Sequence, residues 1–224
     1  MVWEQGRPRL TGHVEPLAAA DQPVTEALDH GTLPPSWVAA SRFPADVVSH
    51  EDDGRRVTAG DEPVFFGRRQ EHLHARVRAR LSVRGAGGLS VRVDPRHALE
   101  LVVSDATVRA VWAVGGVRHP LGEREVPDEV VLEMRMLPSA GHEFSTARGP
   151  DQVVAGVLED GEFTELGQVD GRYLSTEVAG GMTGRMVGVV SFHGQVTLRS
   201  FEHLGADDPA LLGGGSAAPQ PWAG

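Results

Sequence analysis

Between residues 63 and 204 short runs alternate apolar and polar side chains, and turn signals separate one run from the next. HLHARVRARLSV, residues 72–83, is the plainest case. Leu73, Ala75, Val77, Ala79, Leu81 and Val83 hold its odd positions, and His72, His74, Arg76, Arg78 and Arg80 hold even ones. A period of two means a strand with one buried face, because successive side chains point to opposite sides of the pleat. PVFFGRRQ, GLSVRV, ALELVV, TVRAVWAV, EVVLEMRM, EFSTA, VVAGVL, FTELGQV, MVGVVSF and VTLRSFEHL continue the series, while RGAGG, DPRH, VGG, EDGE, VDGR and FHG read as turns. Many short strands with Gly/Asp turns predict an all-β fold, an antiparallel sandwich or barrel. No stretch has the periodicity of an amphipathic helix, and no internal repeat is present.

The ends differ from this middle. Residues 1–28 read as an extended lead-in segment, residues 29–204 as the β domain, and residues 205–224, GADDPALLGGGSAAPQPWAG, as a flexible tail too rich in Gly, Ala and Pro to pack a core. A chain of 224 residues with 40% hydrophobic content can bury one full core. Its formal charge of -10 argues against a general nucleic-acid binder, since phosphate contacts need a surplus of cations on one surface. There is no cysteine, which excludes disulfides and thiolate metal sites. The start lacks the pattern of a secretory signal and no apolar run is long enough to cross a bilayer, so the expectation is a cytoplasmic protein with no membrane partner. Every one of the 21 basic residues is Arg, which suggests GC-rich coding and gives the arginine set no functional meaning by itself.

Chemical motifs are sparse. His72 and His74 form His-x-His, which on a strand puts two imidazoles on one face, but a zinc site needs further ligands and the spacing of His50, His97, His142 and His193 selects none; the expectation is no metal and no cofactor. Paired carboxylates for glycoside hydrolysis cannot be chosen by spacing among 31 acidic residues. No GxSxG is present, and VRGAGGLS lacks the Lys and the following helix of a phosphate loop. Aromatic platforms are the remaining route to a sugar. Phe65, Phe66, Trp112, Phe192 and Phe201 sit inside apolar alternation and read as core, whereas Trp37, Phe43 and Tyr173 lie in loop-like context.

GRYLSTEVAGGMTGRMVGVVSF, residues 171–192, resembles a phrase characteristic of the C-terminal domain of family 43 glycoside hydrolases, the β-xylosidases and α-L-arabinofuranosidases. PVFFGRRQEHLHARVRARL, GGLSVRVDPRHALEL and FTELGQVDGRYLS resemble further segments of that domain in the same order, so the similarity runs from about Asp29 to His203. The resemblance implies a concanavalin A-like jelly roll, a two-sheet antiparallel β-sandwich that follows a catalytic β-propeller. VWEQGRPRL, residues 2–10, resembles the last propeller strand, which implies that this chain begins where the catalytic domain ends and lacks the three propeller carboxylates. It also implies that the GGMTG loop, with Met182 where the family has Phe, approaches the propeller. The family's closing FDWFEY reads LRSFEH at 198–203.

The expected function is therefore a non-catalytic accessory module that docks on a glycosidase propeller, binds saccharide weakly, or both. The alternative is a component of a functional β-xylosidase or α-L-arabinofuranosidase whose propeller lies on another chain or upstream. Trp37, Phe43, His74, Arg76, Arg78, Tyr173 and Met182 are the candidate carbohydrate-binding or docking residues, with no catalytic residue among them. The expected partners are a glycosidase propeller or a second copy of the chain, and a xylo-oligosaccharide. For the 72–83 strand, the Leu73, Ala75 and Val77 side is expected to face the core and the His/Arg side to face outward or line a groove, where the arginines can grip a carboxylate or sugar hydroxyls.

Overall fold

The alternating runs become strands, all paired antiparallel, in the computed structural model, which describes residues 2–4, 7–9, 24–27, 33–52, 54–139 and 151–212. A hairpin of β1 (Val2–Glu4) and β2 (Arg7–Arg9) forms a two-stranded sheet of its own. Next come β3 (Val24–Ala27), β4 (Val38–Ala39), a single α-helical turn α1 (Pro44–Val47), β5 (Val48–Glu51), β6 (Gly54–Thr58) and β7 (Val64–Arg69). The long β8 (His74–Asp94) leads into β9 (His97–Ser104), β10 (Thr107–Val114), β11 (Val117–Glu125) and β12 (Glu129–Pro138). After β13 (Asp151–Glu159) and β14 (Glu162–Asp170), a 3-10 turn over Gly171–Leu174 and a short α2 (Thr176–Ala179) precede β15 (Met186–Ala206). A second 3-10 turn spans Pro209–Leu212.

Two strands of 21 residues, β8 and β15, organise everything else. They pair with each other from Met186↔Arg92 to Ala206↔His74, and each bends midway. The second half of β8 then pairs with β9, while the first half of β15 pairs with β7, which gives one layer in the order β4-β7-β15-β8-β9-β10-β11. The first half of β8 pairs with β12 and the second half of β15 with β6 and β3, which gives the other layer, continued by β13 and β14. The sandwich is thus one hydrogen-bonded sheet folded over on itself.

The bend is a product of glycine. Gly85 and Gly194 stand opposite each other with φ of 108° and 74°. A Cβ on Gly194 would lie 2.1 Å from the Arg84 carbonyl oxygen, and one on Gly85 would lie 2.4 Å from that of His193. No other residue fits there. RGAGG and FHG, expected as turns between separate strands, are therefore the folds within two continuous ones. The tight turns fall elsewhere: Asp105–Ala106, Gly115–Gly116 and Asp160–Gly161 each carry two successive positive φ values, the type I′ form that matches strand twist.

The core lies between the layers. Ala75, Val77, Ala79 and Leu81 of β8 meet Leu89, Val91, Leu99 and Leu101 of the same folded sheet, with Leu132, Met134, Met136, Val187 and Val189 filling the remainder. Each fully buried Val, Leu or Met side chain contributes roughly 1.5–3 kcal/mol. Leu73 does not join them. The strand starts only at His74, so the alternation does not reach back to Leu73, which stands exposed.

Two expected boundaries shift. Val24–Ala27, expected within the lead-in segment, adds a strand to the end of β15. At the other end β15 runs to Ala206, and Leu212 of the following 3-10 turn is buried, so residues 205–212 of the expected tail belong to the folded body. The expected EFSTA strand and residues 213–224 lie outside the described residues.

Candidate functional site

The segment from Asp170 to Arg185 is built from its own side chains. Asp170 caps the 3-10 turn by accepting from the Arg172 backbone N–H at 2.9 Å and from Arg172 Nε at 3.0 Å. Arg185 then ties both ends of the turn together. Its guanidinium donates to the Gly171 carbonyl at 3.0 Å and the Leu174 carbonyl at 3.1 Å, and its two Nη atoms take both oxygens of Asp151 at 2.5 and 3.2 Å. This bidentate pair is nearly out of water, where charge-assisted hydrogen bonds are strongest. Gly171 has to be glycine because a Cβ would collide with the Asp151 carboxylate. On the outgoing side Arg69 donates to the Thr183 carbonyl oxygen. Glu177 in the exposed helical turn is held below the ordinary carboxylate range, first by its own backbone N–H and then by the Ser175 hydroxyl. The result is a fixed base beneath a tip at which Met182 is 97% exposed.

Beside this base is an aromatic group. Tyr173, partly exposed on the 3-10 turn, packs edge-on to Trp112 with ring centroids 5.0 Å apart, and the His119 ring lies 5.3 Å from that of Trp112. Trp112, expected as core, packs against the core cluster while itself only half-buried, and its indole N–H has no partner among the described residues. Sequence reasoning missed Trp112 and His119 because they sit opposite each other across β10 and β11, a pairing that only register reveals.

Arg76 and Arg78 lie on the outward face of the β8 strand, as expected, and are not simply solvated. Glu133 on β12, completely buried, stands opposite Arg78 and accepts from both Arg78 and Arg135, the latter at 2.5 Å. Phe163 packs against the Arg135 guanidinium, 3.8 Å from ring centre. Arg76 reaches the Leu212 carbonyl at 3.4 Å. Burial first, then the neighbouring Arg78 charge, push the Arg76 guanidinium below its usual range. This face is a charge lattice in which one buried carboxylate holds two cations, and the C-terminal 3-10 turn covers its edge.

The other candidates are dispersed. Trp37 is a correction: at 3% exposure it packs between Phe66 and Phe201 at 4.7 and 4.8 Å, a core residue despite its loop-like surroundings. Phe43 is widely exposed at the start of α1. His74 is half-buried on the outward side of β8, whereas His72 lies against Gly205 and 6.3 Å from His203, so the two imidazoles do not share a face. Among the described residues no group of three or more His, Asp or Glu side chains is placed to hold a metal ion. His142, weighed as a ligand, lies outside them.

A family model described as "Beta xylosidase C-terminal Concanavalin A-like domain" matches residues 53–199, from β6 into β15, with the whole of the Asp170–Arg185 segment. Among solved structures, the GH43B protein of the Bacteroides ovatus xyloglucan PUL superposes with a TM-score of 0.65 at 21% identity, over 88% of this chain and 41% of that one. The GH43 BlXynB protein from Bacillus licheniformis gives 0.60 at 16% identity, over 77% and 37%. A bifunctional GH43-CE protein of Bacteroides eggerthii gives 0.62 at 14% identity, over 81% and 27%. At these identities the structures share the fold, and this chain spans less than half the length of each.

Proposed function

This chain belongs to the family of β-xylosidase C-terminal concanavalin A-like domains, and from that premise we propose that it is a non-catalytic accessory module that docks on a glycosidase propeller through the Met182 loop and supports saccharide binding there. The observation that carries this reading is the Arg185 clamp. It spends a buried bidentate ion pair and two backbone hydrogen bonds on holding a segment whose tip, Met182, stands 97% exposed. A fixed base under an exposed apolar tip is what a contact residue needs, since the entropy of ordering the loop is settled before the partner arrives. Methionine packs adaptably on an apolar or sugar surface. Tyr173 and Trp112 offer ring surface next to the same base, suited to sugar C–H groups.

In this reading the reacting carboxylates belong to the propeller, and module and propeller together form a β-xylosidase or α-L-arabinofuranosidase. The test uses the purified chain, nitrophenyl xyloside and arabinofuranoside, and a family 43 propeller stripped of its own C-terminal domain. The chain alone should show no turnover, and adding it should raise propeller activity at least about tenfold, with Met182→Asp losing most of that gain. Turnover by the chain alone would refute the non-catalytic reading. Equal rescue by Met182→Asp would refute the loop's role.

A further inference from the structure

We propose that the layer of β7, β15, β8 and β9 carries, on the face turned away from the inter-layer core, a receptor for a single carboxylate, built on Arg92 with Ser90 beside it and Phe65 beneath it. Residues paired across antiparallel strands share a face, so the register places the site. Gly67, Gly188, Ser90 and Glu100 form one cross-strand row, and Arg69, Met186, Arg92 and Ala98 form another. The two glycines leave a hollow. A Cβ on Gly67 would come within 2.6 Å of the Phe65 ring tip, and one on Gly188 within 2.4 Å of the Gly67 Cα. Phe65 lies down in that space, and the Arg92 guanidinium stacks over its ring at 3.9 Å.

Arg92 is only 8% exposed, yet its Nε and Nη2 atoms have no hydrogen-bond partner among the described residues. Those two atoms form one edge of the guanidinium, the edge that receives both oxygens of a carboxylate in parallel. The Ser90 hydroxyl, two residues along on the same face and fully buried, is also without a partner among the described residues. Burying such donors unpaired is expensive, so a structure that retains them together needs a reason.

The nearby carboxylates do not supply one. Glu100, almost fully buried opposite Ser90, is taken by Arg118 at 2.6 Å, and Arg118 leans on Phe192 at 5.3 Å. Asp94 is taken by the Arg96 backbone N–H at 2.7 Å and by His97 Nδ1 at 3.0 Å. Among the described residues Arg92 therefore keeps a cation with no contacting anion. Burial pushes its guanidinium down to about 10, against the raising effect of Glu100 and Asp94, so it remains charged at neutral pH. Arg69, exposed in the same row, adds positive charge at the rim and also holds the Met182 loop through Thr183. The receptor thus adjoins the loop assigned to docking, but it rests on Arg92 and does not require the propeller reading.

The test titrates the purified full chain with sodium D-glucuronate, sodium acetate and D-glucose at constant ionic strength, followed by amide chemical shifts and melting temperature. Glucuronate or acetate should saturate and perturb the 65–67, 88–94 and 186–190 segments, glucose should not, and Arg92→Gln should weaken binding at least about tenfold. Equal affinity for the two anions identifies the ligand by its carboxylate alone, as an Asp or Glu side chain would present it. Glucuronate at least about tenfold tighter identifies a sugar acid. Failure of both anions to bind, or equal binding by Arg92→Gln, overturns the proposal. Arg92→Met gives a second reading: with the unpaired charge replaced by an apolar chain, the unliganded melting temperature should hold or rise. A fall of more than about 5 °C would make Arg92 a structural residue and overturn it as well.

Discussion

Lowering the pH from 7 to 5 should destabilise the protein through His203. This side chain projects from β15 into the inter-layer space, in the same alternation as Leu198 and Phe201 within the limits of one bulge, and is 1% exposed. Neither ring nitrogen has a partner among the described residues, and Arg68 and His72 face it. Desolvation first, then electrostatic repulsion from Arg68 and His72, push its imidazole from 6.5 down to about 4. In the unfolded chain the same imidazole titrates near its ordinary value. As pH falls through 6.5 the unfolded state gains a proton that the folded state refuses, so stability is lost progressively until the folded group titrates near 4. At pH 5 the difference amounts to about 2 kcal/mol, or about 1 M in urea midpoint for a domain of this size. The assay is urea unfolding of the native chain and of His203→Leu at pH 7 and pH 5. The native chain should lose about 2 kcal/mol more than the variant between the two. Equal losses would refute the reasoning, because ordinary carboxylates contribute alike to both proteins.

Other consequences can be measured in the same way. Glu133→Gln removes the buried carboxylate that holds Arg78 and Arg135, and should cost about 3 kcal/mol in urea unfolding. Trp37→Ala empties the space between Phe66 and Phe201 and should cost about 4 kcal/mol, whereas a surface tryptophan would cost far less. Gly194→Ala places a Cβ 2.1 Å from the Arg84 carbonyl oxygen and should lower stability by well over 2 kcal/mol, against about 1 kcal/mol for Gly115→Ala, whose site is open despite its φ of 58°. Similar losses for the two glycine variants, read by thermal unfolding, would show that backbone strain alone matters at the bend.

The buried side of each strand was legible because alternation is a local property: Ala75, Val77, Leu89 and Val91 all fall where the period places them. The glycine runs were not, since RGAGG serves equally as a hairpin turn and as a fold in one strand. What decides between them is the partner, and Gly194 stands more than a hundred residues away. Trp37 shows the same limit from the other side. Its neighbours in sequence, PPS and VAA, are those of a loop, and its neighbours in space are Phe66 and Phe201. Within the site, the family phrase led directly to Tyr173 and Met182. The Arg185–Asp151 pair depends on how distant segments meet, and the Trp112–His119 contact and the surroundings of Arg92 on register between strands, which composition and periodicity do not encode.

Because β8 and β15 each run through both layers, neither layer has an existence apart from the other. The first half of β8 cannot complete its sheet until β15 has been made, and β15 runs on to Ala206, far along the chain from His74. During synthesis the whole stretch from His74 to Ala206 must therefore be made before the central pairing can close, and until then β8 presents an open edge to whatever is nearby. A chaperone that shields one strand, rather than a domain, is the kind of help such a topology calls for.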